Sequence, residues 1–185
     1  MVLTRMISGY GAEAVATQRV GGQIESISWN TADGFAAALN AFIAQNYGAG
    51  KNDRVKKGYK ASLWTVGIWG LLISAVFICV PEPIARIFFH EPAAIATAVE
   101  YLIIIGFSEA FMCVELTTVG ALSGLGRTRL CSIISIAFTS ARIPLAIILG
   151  GLIGLSGIWW ALSSTSIVKG IIFTCTFLWI TRKRK

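Results

Sequence analysis

The stretch IAQNYGAGKNDRVKKG, residues 43–58, marks an abrupt change in the chain from mostly apolar and small residues to a cluster of cations. Gly48 and Gly50 can adopt the left-handed or tight conformations that end helices. The lysines and the arginine that follow favour both a helix carboxyl terminus and the cytoplasmic side of a membrane. The stretch therefore predicts the end of a long helix and a cytoplasmic loop after it.

The composition places the chain in a lipid bilayer. Of its 185 residues 55% are hydrophobic and 14% are charged, and the mean hydropathy is +0.72, whereas soluble proteins carry roughly a quarter charged residues. Several apolar runs reach the roughly 17–25 residues needed to cross about 30 Å of hydrocarbon. We predict an all-α integral membrane protein, a single membrane domain over residues 1–185, with five transmembrane helices. The predicted spans are about 13–47, 60–80, 93–123, 130–150 and 157–181.

The distribution of cations predicts the orientation of these spans, because Lys and Arg accumulate in cytoplasmic loops. Eleven of the sixteen cations follow the first, third or fifth span, which places them on one side of the membrane. They are Lys51, Arg54, Lys56, Lys57, Lys60, Arg127, Arg129, Arg182, Lys183, Arg184 and Lys185. We therefore expect an amino terminus outside the cell and a cytoplasmic carboxyl terminus. An odd number of spans with an external start also leads us to expect a chain truncated within a larger transporter.

Four motifs in a fixed order carry a resemblance to a known family. They are VATQRVGGQIESISW (15–29), GFAAALNAFIAQNYGAGKNDRVKKG (34–58), GALSGLGRTR (120–129) and RIPLAIIL (142–149). This order resembles the carboxyl-terminal half of the multidrug and toxic compound extrusion (MATE) family. By resemblance, the five spans form most of one six-helix bundle of a two-bundle transporter. The family often carries a proline between residues 29 and 34, where this chain has Asn-Thr-Ala-Asp.

The resemblance implies a function and a set of partners. We expect a multi-pass protein of the plasma (inner) membrane, a secondary active antiporter that exports cationic drugs or toxic organic compounds in exchange for sodium ions or protons. The lipid bilayer, a cationic small molecule and an amino-terminal lobe that this chain lacks would be its partners, and the chain alone is expected to be inactive. The alternatives are a lipid-linked oligosaccharide flippase of the same superfamily and a non-transporting membrane remnant.

A polar stripe runs along the first predicted span. At about 100° per residue, one face carries Gln18, Glu25, Trp29, Asp33 and Asn40. Carboxylates at membrane depth cost at least roughly 2.5–3.5 kcal/mol each, so they face protein or water. We interpret the stripe as the lining of a cavity that binds substrate or the coupling ion, and the alternative is an interhelical hydrogen-bond seam.

Other charged residues lie inside the later spans. Glu109 and Glu115 are six residues apart on the third span, which puts them about 120° apart around its axis. By resemblance to sodium-coupled members, Glu115 is the candidate sodium ligand, and a structural salt bridge is the alternative. Arg142 and Lys169 lie in the fourth and fifth spans. Four membrane carboxylates against two cations leave negative charge that a proton or a cation could compensate.

No residue pattern indicates catalysis or nucleic-acid binding. The chain has no phosphate-binding glycine loop, nucleophile elbow or metal-ligand spacing, and its four cysteines lie singly in apolar segments. The net charge of +7 is explained by membrane topology rather than by a basic patch for phosphate. We therefore predict that the protein is not an enzyme, has no cofactor or firm metal site, and does not bind nucleic acid.

Overall fold

The structure is a computed structural model that describes residues 2–182, so three of the cations used in the topology argument, at 183–185, lie outside the described residues. Within this range the chain forms seven helices and no strand. They are α1 (Val2–Ser8), α2 (Ala12–Gly48), α3 (Asn52–Cys79), α4 (Pro81–Phe88), α5 (Pro92–Gly124), α6 (Thr128–Ile153) and α7 (Leu155–Arg182). The prediction of an all-helical protein is confirmed for the described part of the chain.

The centre of the bundle is α5, which packs against α2, α3 and α7. Small residues on α5 and its neighbours allow close approach of the helix backbones. A Cβ atom on Gly124 would lie 2.6 Å from the Asn40 carbonyl oxygen of α2. One on Gly170 of α7 would lie 2.6 Å from the carbonyl oxygen of Phe111 on α5. In contrast, α6 packs mainly against α7 and leaves most of its apolar surface uncovered.

The helix end predicted from residues 43–58 is present, but the break is much shorter than expected. Gly50 has φ = 72° and Lys51 N–H donates to the Asn46 carbonyl at 2.8 Å, which is how a left-handed residue closes a helix. The helix that contains the second predicted span begins earlier than residue 60, because α3 starts at Asn52. Val55 and Tyr59 are both buried, and their burial extends the helix through the basic segment.

Two other connections also differ from the sequence prediction. The expected break at 150–157 is confined to Gly154, whose φ of 67° separates α6 from α7. Residues 81–92, predicted as a loop, contain the short helix α4. Prolines in its first turn are compatible with helix starts, and the ion pair of Glu82 with Arg86 at 2.7 Å joins successive turns. The helix α1 was not predicted.

Among residues 2–182, four helices are long and apolar enough to cross a membrane by length and composition, namely α3, α5, α6 and α7. With 37 residues α2 is the longest helix of the described chain, but its polar residues keep it outside this group. The fifth span therefore stays a prediction.

Candidate functional site

The predicted site residues fall into two hydrogen-bonded clusters, one unpartnered carboxylate and one uncovered helix face. We call Gln18, Glu25, Tyr101 and Trp159 the tyrosine network. We call Glu115, Arg142, Thr165, Ser166 and Lys169 the ion-pair cluster. Glu109 lies apart from the direct contacts of both, and Trp29 and Asp33 lie on the exposed face of α2.

The tyrosine network joins α2, α5 and α7. The Tyr101 hydroxyl donates to the Glu25 carboxylate. The Gln18 amide donates to the Tyr101 oxygen at 3.3 Å, and its own oxygen accepts from the Trp159 indole at 3.0 Å. Tyr101 and Trp159 are fully buried and meet edge to face with ring centroids 5.1 Å apart. Glu25 is therefore anchored to the helix bundle by a neutral donor.

The ion-pair cluster joins α5, α6 and α7. Lys169 Nζ lies 2.7 Å from Glu115 Oε1, and the two side chains are 11% and 10% exposed. Arg142 donates from Nε to the Thr165 hydroxyl at 2.9 Å and from Nη2 to the Ser166 hydroxyl at 3.2 Å. Arg142 is the second cation whose charge acts on Glu115. The charge of Glu115 is thus compensated within the protein.

Glu109 differs from the other acids, because it is 1% exposed and neither of its carboxyl oxygens has a hydrogen-bond partner among residues 2–182. Ser28 on α2 is the hydroxyl residue that faces it, and the Ser28 oxygen lies 3.4 Å from Cys113 Sγ. A buried, unpaired carboxylate is strongly unfavourable as an anion. A proton or a bound cation on Glu109 would remove this cost.

The polar stripe of α2 divides between the two interpretations that its sequence allowed. Gln18 and Glu25 lie in the tyrosine network, as the interhelical seam predicts. Trp29 is 46% exposed and Asp33 is also exposed, so this part of the stripe lies on a face that no other described helix covers. Asn40 is half-buried. Cavity lining remains a prediction for the exposed part.

Glu109 and Glu115 point to different neighbours, as their spacing predicted. Glu109 faces α2 through Ser28, whereas Glu115 pairs with Lys169 on α7. At Glu115 the structure contains the salt bridge that was the alternative to a sodium ligand. No group of three His, Cys, Asp or Glu side chains within residues 2–182 is arranged to hold a metal ion.

Sequence reasoning missed two members of the tyrosine network. Tyr101 and Trp159 lie in apolar segments as ordinary aromatic residues, yet each has a polar atom that needs a partner when it is buried. Eight residues separate Tyr101 from Glu109 on α5, so both lie on similar faces of the helix. That spacing was the available signal that Tyr101 faces α2 together with Glu109.

Comparison with known proteins identifies the family. The family model MatE matches residues 1–148. The chain belongs to the MatE family. MatE proteins are membrane transporters rather than enzymes, and the resemblance found from the four motifs is confirmed.

Relatives of known name cover most of this MatE chain. A probable multidrug resistance protein NorM of Thermotoga maritima is 30% identical over 175 residues, 91% of this chain and 37% of its own length. A FAD transporter of Shewanella oneidensis is 24% identical over 178 residues, 96% of this chain and 39% of its own length. The crystal structure of the Vibrio cholerae MATE transporter VcmN in the bent form matches with a TM-score of 0.89 and 19% identity, over 97% of this chain and 41% of that chain.

The chain thus spans about two-fifths of the length of these relatives. Family membership and four long apolar helices support a multi-pass membrane protein. Similarity to VcmN at 19% identity shows the fold, and the activity of a complete transporter is a matter for proposal.

Proposed function

We propose that this chain is the carboxyl-terminal lobe, or most of it, of an antiporter that exports cationic drugs or toxic organic compounds in exchange for protons or sodium ions. In this proposal five helices, α2, α3, α5, α6 and α7, span the membrane, with the amino terminus outside and the carboxyl terminus in the cytoplasm. An amino-terminal lobe supplies the opposite wall of the cavity. MatE membership and the similarity to proteins named for multidrug resistance support this proposal.

The single observation that carries a coupling role is the buried and unpartnered Glu109. Glu25 has a neutral donor in Tyr101, and Glu115 has Lys169. Glu109 has neither, although it lies in a helix whose apolar stretch has a mean hydropathy of 1.8. A carboxylate in such a place is much more stable with a bound proton or cation than as a bare anion. Coupling to an ion gradient requires a free-energy difference of this kind between two states.

The proposed exchange requires only that the coupling ion and the cationic drug compete for the negative charge of Glu109. When Glu109 holds a proton or a sodium ion, the site is neutral and has little attraction for a cationic drug. Loss of that ion restores the negative charge and favours binding of the drug. The coupling ion and the drug therefore compete for the same negative charge. This competition produces antiport when the two lobes alternate access around the site. Trp29, Asp33 and Asn40, on or beside the uncovered face of α2, are proposed to contact the substrate.

The lipid-linked oligosaccharide alternative has less support. Recognition of a pyrophosphate would need cations that line the cavity, but Lys169 is paired with Glu115 and Arg142 is bonded to two α7 hydroxyls. Glu25 on α2 and Glu109 on α5 are acidic side chains of the bundle without a cation at hydrogen-bond distance among the described residues. This charge balance favours cationic substrates.

The proposal can be tested in a fusion of this chain to the amino-terminal lobe of the Thermotoga maritima relative. Cells that lack their own efflux pumps are loaded with a cationic dye, and dye efflux is followed under imposed proton or sodium gradients. We expect gradient-dependent efflux by the fusion and its loss, by at least about tenfold, in the Glu109→Gln variant. The membrane level of that variant is expected to be unchanged, because glutamine has nearly the same size and Glu109 forms no ion pair with a described residue.

Glu100→Gln on the same helix is the matched control. Glu100 is exposed and accepts a hydrogen bond from Ser156 at 2.5 Å, so its neutralisation is expected to leave efflux unchanged. Full gradient-dependent efflux by Glu109→Gln would refute the coupling role. A loss of Glu109→Gln from the membrane would instead show a structural role.

A further inference from the structure

A groove at the end of the bundle where α3 begins and α7 ends combines cationic and apolar walls. Its rim carries Lys56, Lys60 and Arg182, and its volume is about 640 Å³, within the range of roughly 300–1,000 Å³ typical of small-ligand sites. None of the described residues that line it is acidic, and the nearby Asp53 is not among them. The rim is therefore suited to an anion.

The base of this groove is well ordered by contacts within the bundle. Tyr59 and Phe177 are 3% and 1% exposed and stack with ring centroids 3.7 Å apart. The Tyr59 hydroxyl lies 3.0 Å from the Thr118 hydroxyl of α5. Lys56 and Lys60 lie one helical turn apart on α3, and both line the groove together with Tyr59. The cations thus stand on a rigid base rather than on a loop.

A second groove continues from the first along α3 and gives the site a long apolar extension. It shares Leu63 and Trp64 with the basic groove and is lined further on by Ile68, Leu71 and Val114, with a volume of about 320 Å³. From Lys60 to Leu71 the helix rises roughly 16 Å at 1.5 Å per residue. That length is close to half of the roughly 30 Å hydrocarbon thickness of a bilayer.

We infer that this continuous groove binds an anionic phospholipid, with the phosphate at Lys56, Lys60 and Arg182 and one acyl chain along Leu63, Ile68 and Leu71. The charge of the rim selects the headgroup class, and the apolar extension selects a lipid over a soluble anion. Trp64, which is 65% exposed where the two grooves meet, is placed as tryptophans are at the boundary between headgroups and hydrocarbon. This site is separate from the coupling carboxylates and does not depend on the proposed transport activity.

Vesicles with brominated lipids can test this inference on the 185-residue chain. Bromine on the acyl chains quenches tryptophan fluorescence at short range. The difference in quenching between the original chain and the Trp64→Phe variant is the quenching of Trp64, which reports on the groove. We expect stronger quenching of that part by brominated phosphatidylglycerol than by brominated phosphatidylcholine. A basic residue near an anionic surface contributes about 1 kcal/mol, so each lysine removed is expected to lower the preference for phosphatidylglycerol about fivefold.

The double variant Lys56→Gln/Lys60→Gln has a matched control in Arg54→Gln/Lys57→Gln. Both remove two positive charges from the same end of α3, but Arg54 and Lys57 do not line the groove. We expect loss of the preference in the first variant and its retention in the second. An equal loss in both would show a general surface-charge effect and overturn the proposal.

Gly67→Phe tests the acyl-chain part without a change in charge. Gly67 lines the apolar extension, and a Cβ atom there would meet no atom within 4 Å, so a large side chain can enter the groove. We expect this variant to fold and to lose groove-specific quenching by phosphatidylglycerol. Unchanged quenching, or displacement of the lipid signal by inorganic phosphate alone, would refute the lipid assignment.

Discussion

The charged side chains inside the bundle differ in how each charge is compensated. Lys169 neutralises Glu115 directly, Arg142 is held by Thr165 and Ser166, and Glu109 has no hydrogen-bond partner among the described residues. Burial makes these differences large, because an unpaired charge away from water costs several kcal/mol whereas a well-formed pair is close to neutral for stability. The same residue type is therefore paired with a cation at position 115 and has a proposed coupling role at position 109.

The pair of Glu115 and Lys169 is expected to show strong energetic coupling. Glu115→Gln alone leaves Lys169 as a buried cation without its carboxylate, and Lys169→Met alone leaves Glu115 without its cation. Each single variant is expected to lose about 3–5 kcal/mol of stability. The double variant removes both charges and is expected to recover most of that loss. Unfolding by SDS titration in mixed micelles measures these free energies.

A comparison with Glu109→Gln completes this experiment. That variant removes a charge that has no partner, so it is expected to be as stable as the original chain or more stable. Additive losses in the Glu115 and Lys169 cycle would show that the 2.7 Å contact does not contribute to stability.

The burial of these charged residues was predictable from the sequence, but which of them form pairs was not. A charged residue within a long apolar run indicates a buried polar site by itself. Whether Lys169 meets Glu115 or Arg142 meets Glu25 depends on the rotation of α7 and α6 about their axes. That rotation is set by contacts such as Gly170 against Phe111, which no single segment reveals.

At the scale of the helices, backbone contact between α2 and α5 determines how the carboxylates are placed. Gly120 and Gly124, one turn apart on α5, face the backbone of Ala36 and Asn40 on α2. This contact keeps Ser28 near Glu109 and Tyr101 near Glu25, because all four lie farther along the same two helices. The Gly-x-x-x-Gly pattern thus serves helix packing within the chain.

Gly120→Ala is expected to destabilise the chain by roughly 1–3 kcal/mol, the typical cost of overpacking. A Cβ atom at position 120 would lie 2.9 Å from the Ala36 Cα, a backbone atom that cannot rotate away. Gly34→Ala on α2 is the matched control, since nothing lies within 4 Å of its Cβ position and alanine favours helix by up to about 1 kcal/mol. Thermal unfolding in detergent is expected to give a lower midpoint for the first variant and an equal or higher one for the second. Equal midpoints would contradict the close contact.

Helix existence was predictable from the apolar runs, while several helix ends were not. Gly50, Gly126 and Gly154 adopt left-handed conformations, and a helix ends shortly before each of these glycines. The basic segment after Gly50 was expected to be a loop because its composition is polar. It is helical since Val55 and Tyr59 have partners in the bundle, and tertiary contacts of this kind override local composition.

At the scale of the whole molecule, the proposed orientation in the membrane rests on where the cations lie. Lys56 and Arg127 both lie at the end of the bundle that carries Arg182. Single cysteines at positions 56 and 127, in a background without the exposed Cys79 and Cys175, are expected to resist a membrane-impermeant thiol reagent in intact cells. They are expected to react once the membrane is opened. Modification from outside would reverse the proposed topology.

The chain alone is expected not to transport. Alternating access requires one repeat to move against another, and Trp29 and Asp33 lie on a face of α2 that the other described helices leave open. Purified chain in vesicles is expected to give no uptake of a cationic dye under sodium or proton gradients. The fusion with an amino-terminal lobe serves as the positive control. Gradient-dependent uptake by the chain alone would show that one lobe, or a pair of copies, is sufficient.

The close contact of Gly120 and Gly124 with α2 also affects what a genetic screen would report. Any side chain at either position would meet the α2 backbone, so substitutions there are expected to lower the drug resistance of the proposed complete transporter. Glu109 substitutions are expected to have the same phenotype for a different reason. A survey of resistance alone would therefore group two packing glycines with the carboxylate that is proposed to couple transport. Only a parallel measurement of protein abundance would separate the two causes.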